Sequence, residues 1–219
     1  MIDFLLKIKL LRKCKTFPTS NGMTYIELIV VLSIFSVLSA VVIFNYVDFE
    51  NKIDIKSLAS DVALKVVEAQ RASLSGNIPV RTISVQNWKP SFGIYFSIAG
   101  GADSKGGDSK DFIYYVDLNQ NNQYDSSVTC NTLSDECLEK INITKNNTIS
   151  NLAVFYNDGT SNTALADLTV TFSRPNSGAT IRSSTTLNAN ISYVQATITS
   201  PRGANAYIKI YASGRIQIN

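Results

Sequence analysis

An α+β fold is predicted for this chain: a long N-terminal helix, half membrane-spanning and half amphipathic, packed on an antiparallel β-sheet domain. Three observations carry that expectation. Residues 28–47 hold no charged side chain, a 20-residue apolar run matched to about 30 Å of hydrocarbon. No glycine or proline interrupts the chain between Gly22 and Gly76. A single helix through this stretch would run about 75 Å at 1.5 Å per residue. Beyond Pro79 the apolar period shortens to two, in short runs between turn residues.

Four segments follow in chain order: a leader over 1–22, a membrane helix over 23–47, the amphipathic half of the same helix over 48–76, and a β-rich domain over 77–219. The leader alternates apolar residues with Lys7, Lys9, Arg12, Lys13 and Lys15, against Asp3 alone. That pattern suits a short amphipathic helix on a membrane surface. This segment carries a net +4 against +3 for the whole chain, so its removal leaves a chain of about −1. Basic residues ahead of an apolar helix stay in the cytoplasm, which places everything after the helix outside. The expected localisation is a single-pass membrane protein, N-terminus inside and C-terminal domain extracytoplasmic. Cys14 would share the reducing side and receives no role.

In the amphipathic half, Ile55, Leu58, Val62, Val66 and Ala69 recur at steps of three and four. They form one stripe that should pack on a sheet, with Asp61 and Lys65 as an i,i+4 pair on another side. Gly76 stops the helix, and Pro79 follows three residues later. Strands are predicted over 80–86, 92–98, 112–118, 139–144, 149–156, 168–173, 191–199 and 206–219. The last should fold as a hairpin about Ser213-Gly214. The alternation in 168–172 and 206–211 is that of half-exposed antiparallel strands. A Ser/Thr/Asn-rich surface with few Lys and Glu suits an extracellular domain.

The stretch G-M-T-Y-I-E-L-I-V-V-L-S-I-F-S-V-L-S-A, beginning at Gly22, resembles the N-terminal signature of type IV pilins and type II secretion pseudopilins. The resemblance implies cleavage by a prepilin peptidase after Gly22 and methylation of the new terminus on Met23. It implies that Glu27 pairs with the amino terminus of a neighbouring pilin or pseudopilin subunit. The further partners it implies are the membrane and an inner-membrane assembly platform. Met23 stands where Phe is commoner, and no proline lies near Phe44, so a straighter helix is expected than in pilins kinked there. In the body, F-G-I-Y-F, V-T-F-S-R-P-N-S-G and Y-I-K-I-Y-A-S-G-R-I are loosely similar to H-type minor pseudopilins and related minor pilins. A plain signal anchor or a secretory signal peptide is the bland alternative. The apolar run exceeds a usual signal-peptide core, and a lipid-facing anchor gains nothing from Glu27.

Two local features could carry chemistry. Asp117, Asn119, Asn121, Gln123 and Asp125 place oxygen side chains at every second position, with Asp125 ninth, the spacing of a calcium loop. Asn122 occupies the usual glycine place and tolerates positive φ. The twelfth position is Val128 rather than a bidentate Glu, so two carboxylates remain unless Asp135 or Glu136 folds back. An Asx-rich turn bonding its own backbone fits the same residues. Cys130 and Cys137 are the cysteines beyond the membrane helix, on a side that permits disulfides, and are expected to form one. Two thiols alone make a poor metal site.

The remaining signals are weak. Trp88, Tyr95, Tyr114, Tyr115, Tyr124, Tyr207 and Tyr211 on or near strands read as core or cross-strand pairs before a binding surface. Scattered arginines (Arg174, Arg182, Arg202, Arg215) make no strong nucleic-acid signal. The chain has no histidine, which removes His-based acid–base catalysis and most zinc sites. With acids spread out and no convergent nucleophile and base, no enzyme is expected and no cofactor is required, calcium being the one suggested. A filament subunit is the leading expectation. A membrane-tethered binding module (adhesin, DNA-uptake or calcium-responsive) is the rival. Motility, DNA uptake and secretion are not separated by these residues, nor are shaft and tip.

Overall fold

Thr24 opens the helix α1, Tyr25–Ser75. The N–H of Glu27 donates to Thr24 Oγ1 at 3.3 Å, and that of Leu28 to Thr24 O at 3.1 Å, an N-cap arrangement. Glu27 lies in the first turn, where the helix dipole favours an acid. At the other end Gly76 takes φ +74°, and Asn77 N–H reaches back to Ala72 O at 3.1 Å. That six-to-one bond closes the helix on the glycine that can adopt the left-handed turn. The computed structural model describes residues 22–81, 83, 85–98, 105–125, 130 and 133–219. The leader over 1–21, with Cys14, lies outside them.

Two units divide the chain, Met1–Asn45 and Tyr46–Asn219. The first contains Tyr25–Ile43, 19 residues of mean hydropathy 2.7, long and apolar enough to cross a membrane. None of that stretch is buried within the chain.

Among the described residues, the second unit holds the rest of α1 and ten strands in two antiparallel sheets. They are β1 Ser91–Ser97, β2 Asp111–Val116, β3 Cys137–Asn142, β4 Thr148–Tyr156 and β5 Ser161–Asn162. Then come β6 Asp167–Ser173, β7 Ala179–Arg182, β8 Ile191–Thr199, β9 Asn205–Tyr211 and β10 Ile216–Ile218. One sheet runs β3-β2-β1-β6-β7, the other β10-β9-β8-β4-β5. The predicted terminal hairpin is β9–β10, with Gly214 at φ +86° and its N–H on Tyr211 O at 2.8 Å.

A single apolar cluster joins the helix to both sheets. Ile55, Val62, Val66 and Ala69 of the expected stripe are buried in it, together with Ala59 and Ala72, while Leu58 packs at its edge. Sheet residues Phe92, Ile94, Phe96, Val170, Phe172, Leu152, Val194 and Ile208 complete it.

The structure corrects four expectations. Residues 80–86 form no strand among those described. Val80 is 89% exposed, and Arg81 Nη2 donates to Cys137 O at 2.9 Å, so a side chain takes a carbonyl beside the sheet edge. Lys65 turns from Asp61 to Glu68 at 3.1 Å and to Glu139 of β3 at 2.9 Å, because the sheet brings a carboxylate over the helix. Two short strands, β5 and β7, carry too few residues to show a period. Finally, the stretch 168–172, expected half-exposed, lies in β6 and is buried on both faces, as are β1 and β2. The outer face of β1 and β2 presents Tyr95, Ile113 and Tyr115, which cluster with Cys137 and with Tyr124 packed over them. The cover is the segment that carries the Asp/Asn spacing.

Candidate functional sites

The loop 117–125 leaves the end of β2 and folds back over the outer face of the first sheet. Tyr124 anchors it, with ring centroids 5.0 Å from Tyr95 and 5.3 Å from Tyr115. Tyr115 Oη and Thr171 Oγ1 share a hydrogen bond, and Thr171 Oγ1 donates to Asn122 O at 3.2 Å. Trp88 Nε1 donates to Asp117 O at 2.7 Å and fixes the start of the loop. Gln120 and Asn122 both take φ +60°, so the Asn in the usual glycine place adopts the conformation required there.

Asp117 is fully buried. Its Oδ2 accepts the N–H of Asn122 at 2.9 Å, with Ser91 Oγ at 3.5 Å, while Oδ1 is buried without a hydrogen-bond partner. Burial raises its pKa above the usual carboxylate range, against the pull of backbone N–H groups from Asn122, Gln120 and Asn121. Asn119 Oδ1 accepts Asn121 N–H at 3.0 Å, and Asn121 Oδ1 accepts Gln123 N–H at 2.7 Å. The carboxamide nitrogens of Asn119 and Asn121 both donate to Asp125 Oδ2. Lys105 Nζ sits 3.0 Å from Asp125 Oδ1. For Asp125, burial pushes the pKa up, but hydrogen bonds from Asn119, Lys105 and Asn121 outweigh it and hold the carboxyl below its usual range.

Glu136 does fold back. Its Oε1 accepts Leu118 N–H at 3.1 Å and its Oε2 accepts Asp125 N–H at 2.8 Å, tying both ends of the loop. Burial pushes its pKa up to about 7, partly offset by those two N–H groups and reinforced by the charges of Asp117 and Asp125. Asp135 Oδ1 accepts Cys137 N–H at 3.0 Å. Gln123 joins the loop through its backbone N–H and lines a hollow beside Arg182 and Ser183. Val128 lies outside the described residues.

Of the five residues read from the spacing, the structure links Asn119 and Asn121 to Asp125 through their side chains, and of the two acids offered to complete the set, Asp135 and Glu136, it is Glu136 that bonds the loop. Sequence reasoning missed Lys105, because a glycine-rich polar stretch gives no sign of where its ammonium points. Among the described residues no group of three or more His, Cys, Asp or Glu side chains is arranged to hold a metal by itself. Any cation here would therefore rely on amide and backbone oxygens as well.

Cys130 and Cys137 are joined, with Cα atoms 4.8 Å apart, and Cys137 is buried beside Tyr115. The bridge ties the segment after the loop to β3 and so to Glu136. Changing both cysteines to alanine should cost about 2–3 kcal/mol, from the loop-closure entropy of so short a ring. Thermal unfolding followed by circular dichroism should show a Tm lower by roughly 5–10 °C. An unchanged Tm would mean that the bridge adds nothing to the native state.

The aromatic residues divide. Tyr95, Tyr114, Tyr115 and Tyr124 are buried, Trp88 and Tyr211 are half-buried, and Tyr207 is exposed. Tyr211, Tyr193 and Phe155 form a cross-strand row on β9, β8 and β4, with Arg215 stacked on Tyr211 at 3.9 Å. At the N-terminus, Gly22, Met23 and Glu27 are exposed in the single chain, with Glu27 four residues from Met23 on the first turn of α1.

No protein-family model matches the sequence, and neither a curated protein nor a solved structure matches it.

Proposed function

We propose that this chain is a type IV pilin-like or pseudopilin subunit, cut by a prepilin peptidase after Gly22 and assembled through its N-terminal helix into a pilus or secretion pseudopilus. The observation that carries this reading is one conjunction. The Gly22-Met23 junction and Glu27 stand at the head of a 19-residue apolar helix that its own chain leaves wholly uncovered. Phe35 is 67% exposed and Val42 65%. So long an apolar surface requires a cover, lipid before assembly and neighbouring helices afterwards. A carboxylate in that surface costs on the order of 2.5–3.5 kcal/mol on insertion scales. The amino group of a neighbour's Met23 offsets this, and a subunit out of register leaves the charge buried and unpaired. The β-rich unit then coats the outside.

Peptide mass analysis of the N-terminus from membrane fractions tests the reading. A chain beginning at N-methylated Met23 is expected. A chain beginning at Met1 would overturn it and leave a membrane-tethered binding module. In the same preparation, Glu27→Ala should be processed yet enter filaments at least about tenfold less well, the effect of losing one buried ion pair. Normal incorporation would remove Glu27 from the assembly contact.

A further inference from the structure

We infer that the loop 117–125, closed by Glu136, binds one calcium ion through Asp117, Asn119, Asn121, Asp125 and Glu136. The inference is independent of filament assembly, since every residue in it belongs to the unit Tyr46–Asn219.

The orphan oxygen of Asp117 points to the ligand. Its carboxylate is turned into the loop, as the 2.9 Å bond from Asn122 N–H to Oδ2 fixes. The other oxygen, Oδ1, is buried and accepts nothing. A buried acceptor left unmade costs about 1–3 kcal/mol, more for a charged one, so the position calls for a partner. A cation supplies it. An aspartate in this place of a calcium loop gives one oxygen to the ion and the other to the backbone N–H groups of the loop.

The remaining donors agree. The Oδ1 atoms of Asn119 and Asn121 each accept a single N–H from the residue two further on and keep a lone pair free. Asp125 stands at the ninth position. Glu136, arriving from the far side of the disulfide, replaces the acid missing at position twelve: each of its oxygens takes one loop N–H and retains a lone pair. As they stand the carboxylates of Asp117, Asp125 and Glu136 do not make a ready-made metal group; drawn in around an ion with the two carboxamides they give a hard oxygen set, and an Asx-rich loop accommodates the variable geometry of calcium better than the strict octahedron of magnesium. Lys105, 3.0 Å from Asp125 Oδ1, is the competing cation, and its ammonium leaves when the ion enters.

The full chain in detergent micelles, stripped with a chelator, is titrated with Ca2+ by calorimetry. It is titrated separately with Tb3+ while Trp88 and Tyr124 are excited. One site per chain is expected, with a Kd between about 10 µM and 1 mM. At roughly a hundredfold excess over Kd, Ca2+ should raise Tm by about 5–10 °C. Asp117→Asn and Glu136→Gln should each weaken binding at least about tenfold, while Lys105→Ala should tighten it. Sensitised Tb3+ emission in the unaltered chain should be displaced by Ca2+ at one-to-one stoichiometry. The inference is overturned if the unaltered chain shows no saturable binding up to about 10 mM Ca2+. It is equally overturned if folded Asp117→Asn and Glu136→Gln bind as it does. Should both variants fail to fold, the emission and stoichiometry of the unaltered chain decide alone.

Discussion

Val66→Asp is expected to unfold the unit Tyr46–Asn219. Val66 is 0% exposed and lies in the cluster that unites the helix with both sheets. The substitution removes about 1.5–3 kcal/mol of apolar burial and puts a carboxylate where no cation waits. An uncompensated buried charge adds about 3–5 kcal/mol. Together these rival the whole stability of an ordinary domain, about 5–15 kcal/mol. Leu64→Asp is the control: Leu64 lies two positions away on the same helix but is 64% exposed, and its change should stay near 0.5 kcal/mol. Urea unfolding of the full chain in micelles, read by circular dichroism, compares them. Equal midpoints for the two variants would show that the helix does not pack on the sheets.

The second large effect is expected at Gly93, in the middle of β1. Gly93 pairs with Tyr115 on one side and Thr171 on the other. A Cβ there would lie 2.6 Å from Tyr115 Cε1 and 2.7 Å from its Oη, and would overlap the carbonyl oxygen of Val170 as well. The ring cannot swing away, because Tyr115 is fully buried, bonded to Thr171 and packed against Tyr124. The carbonyl belongs to the sheet. Overpacking of this kind costs about 1–3 kcal/mol and more where the backbone must move, so Gly93→Val should lose at least about 3 kcal/mol. Tm should fall by roughly 10 °C, and the near-ultraviolet signal of the tyrosines should change with it. In a Tyr115→Ala background, Gly93→Ala should cost less than in the unaltered chain, because part of the obstruction has gone. Strict additivity would exclude the ring as the cause.

Much of this was legible in one dimension. The helix α1 needed only an uninterrupted run and Gly76 after it, both local signals. Its buried face followed from the period of Ile55, Val62, Val66 and Ala69. Strand β8 appeared over 191–199 as read, and the other main strands shifted by a residue or two, since chain ends fray where pairing stops. Residues 80–86 failed for a different reason. Alternation marks what a segment could pair with, but the carbonyl of Cys137 is taken by the Arg81 side chain.

The sequence by itself determined the apolar span, the helix with its stop, the β-rich character of the rest, and the spacing of Asp117, Asn119, Asn121 and Asp125. These rest on neighbours within a few turns or residues of one another. Tertiary structure alone decided that there are two sheets, that the three middle strands of the first are buried on both faces, and that Lys65 reaches Glu139. It also decided that Glu136 closes a loop beginning 19 residues before it, and that Gly93 makes room for the tyrosine beneath that loop. Each of these depends on which distant strands become neighbours, and that choice is made by the joint burial of apolar faces, a property of the whole fold that no local period encodes.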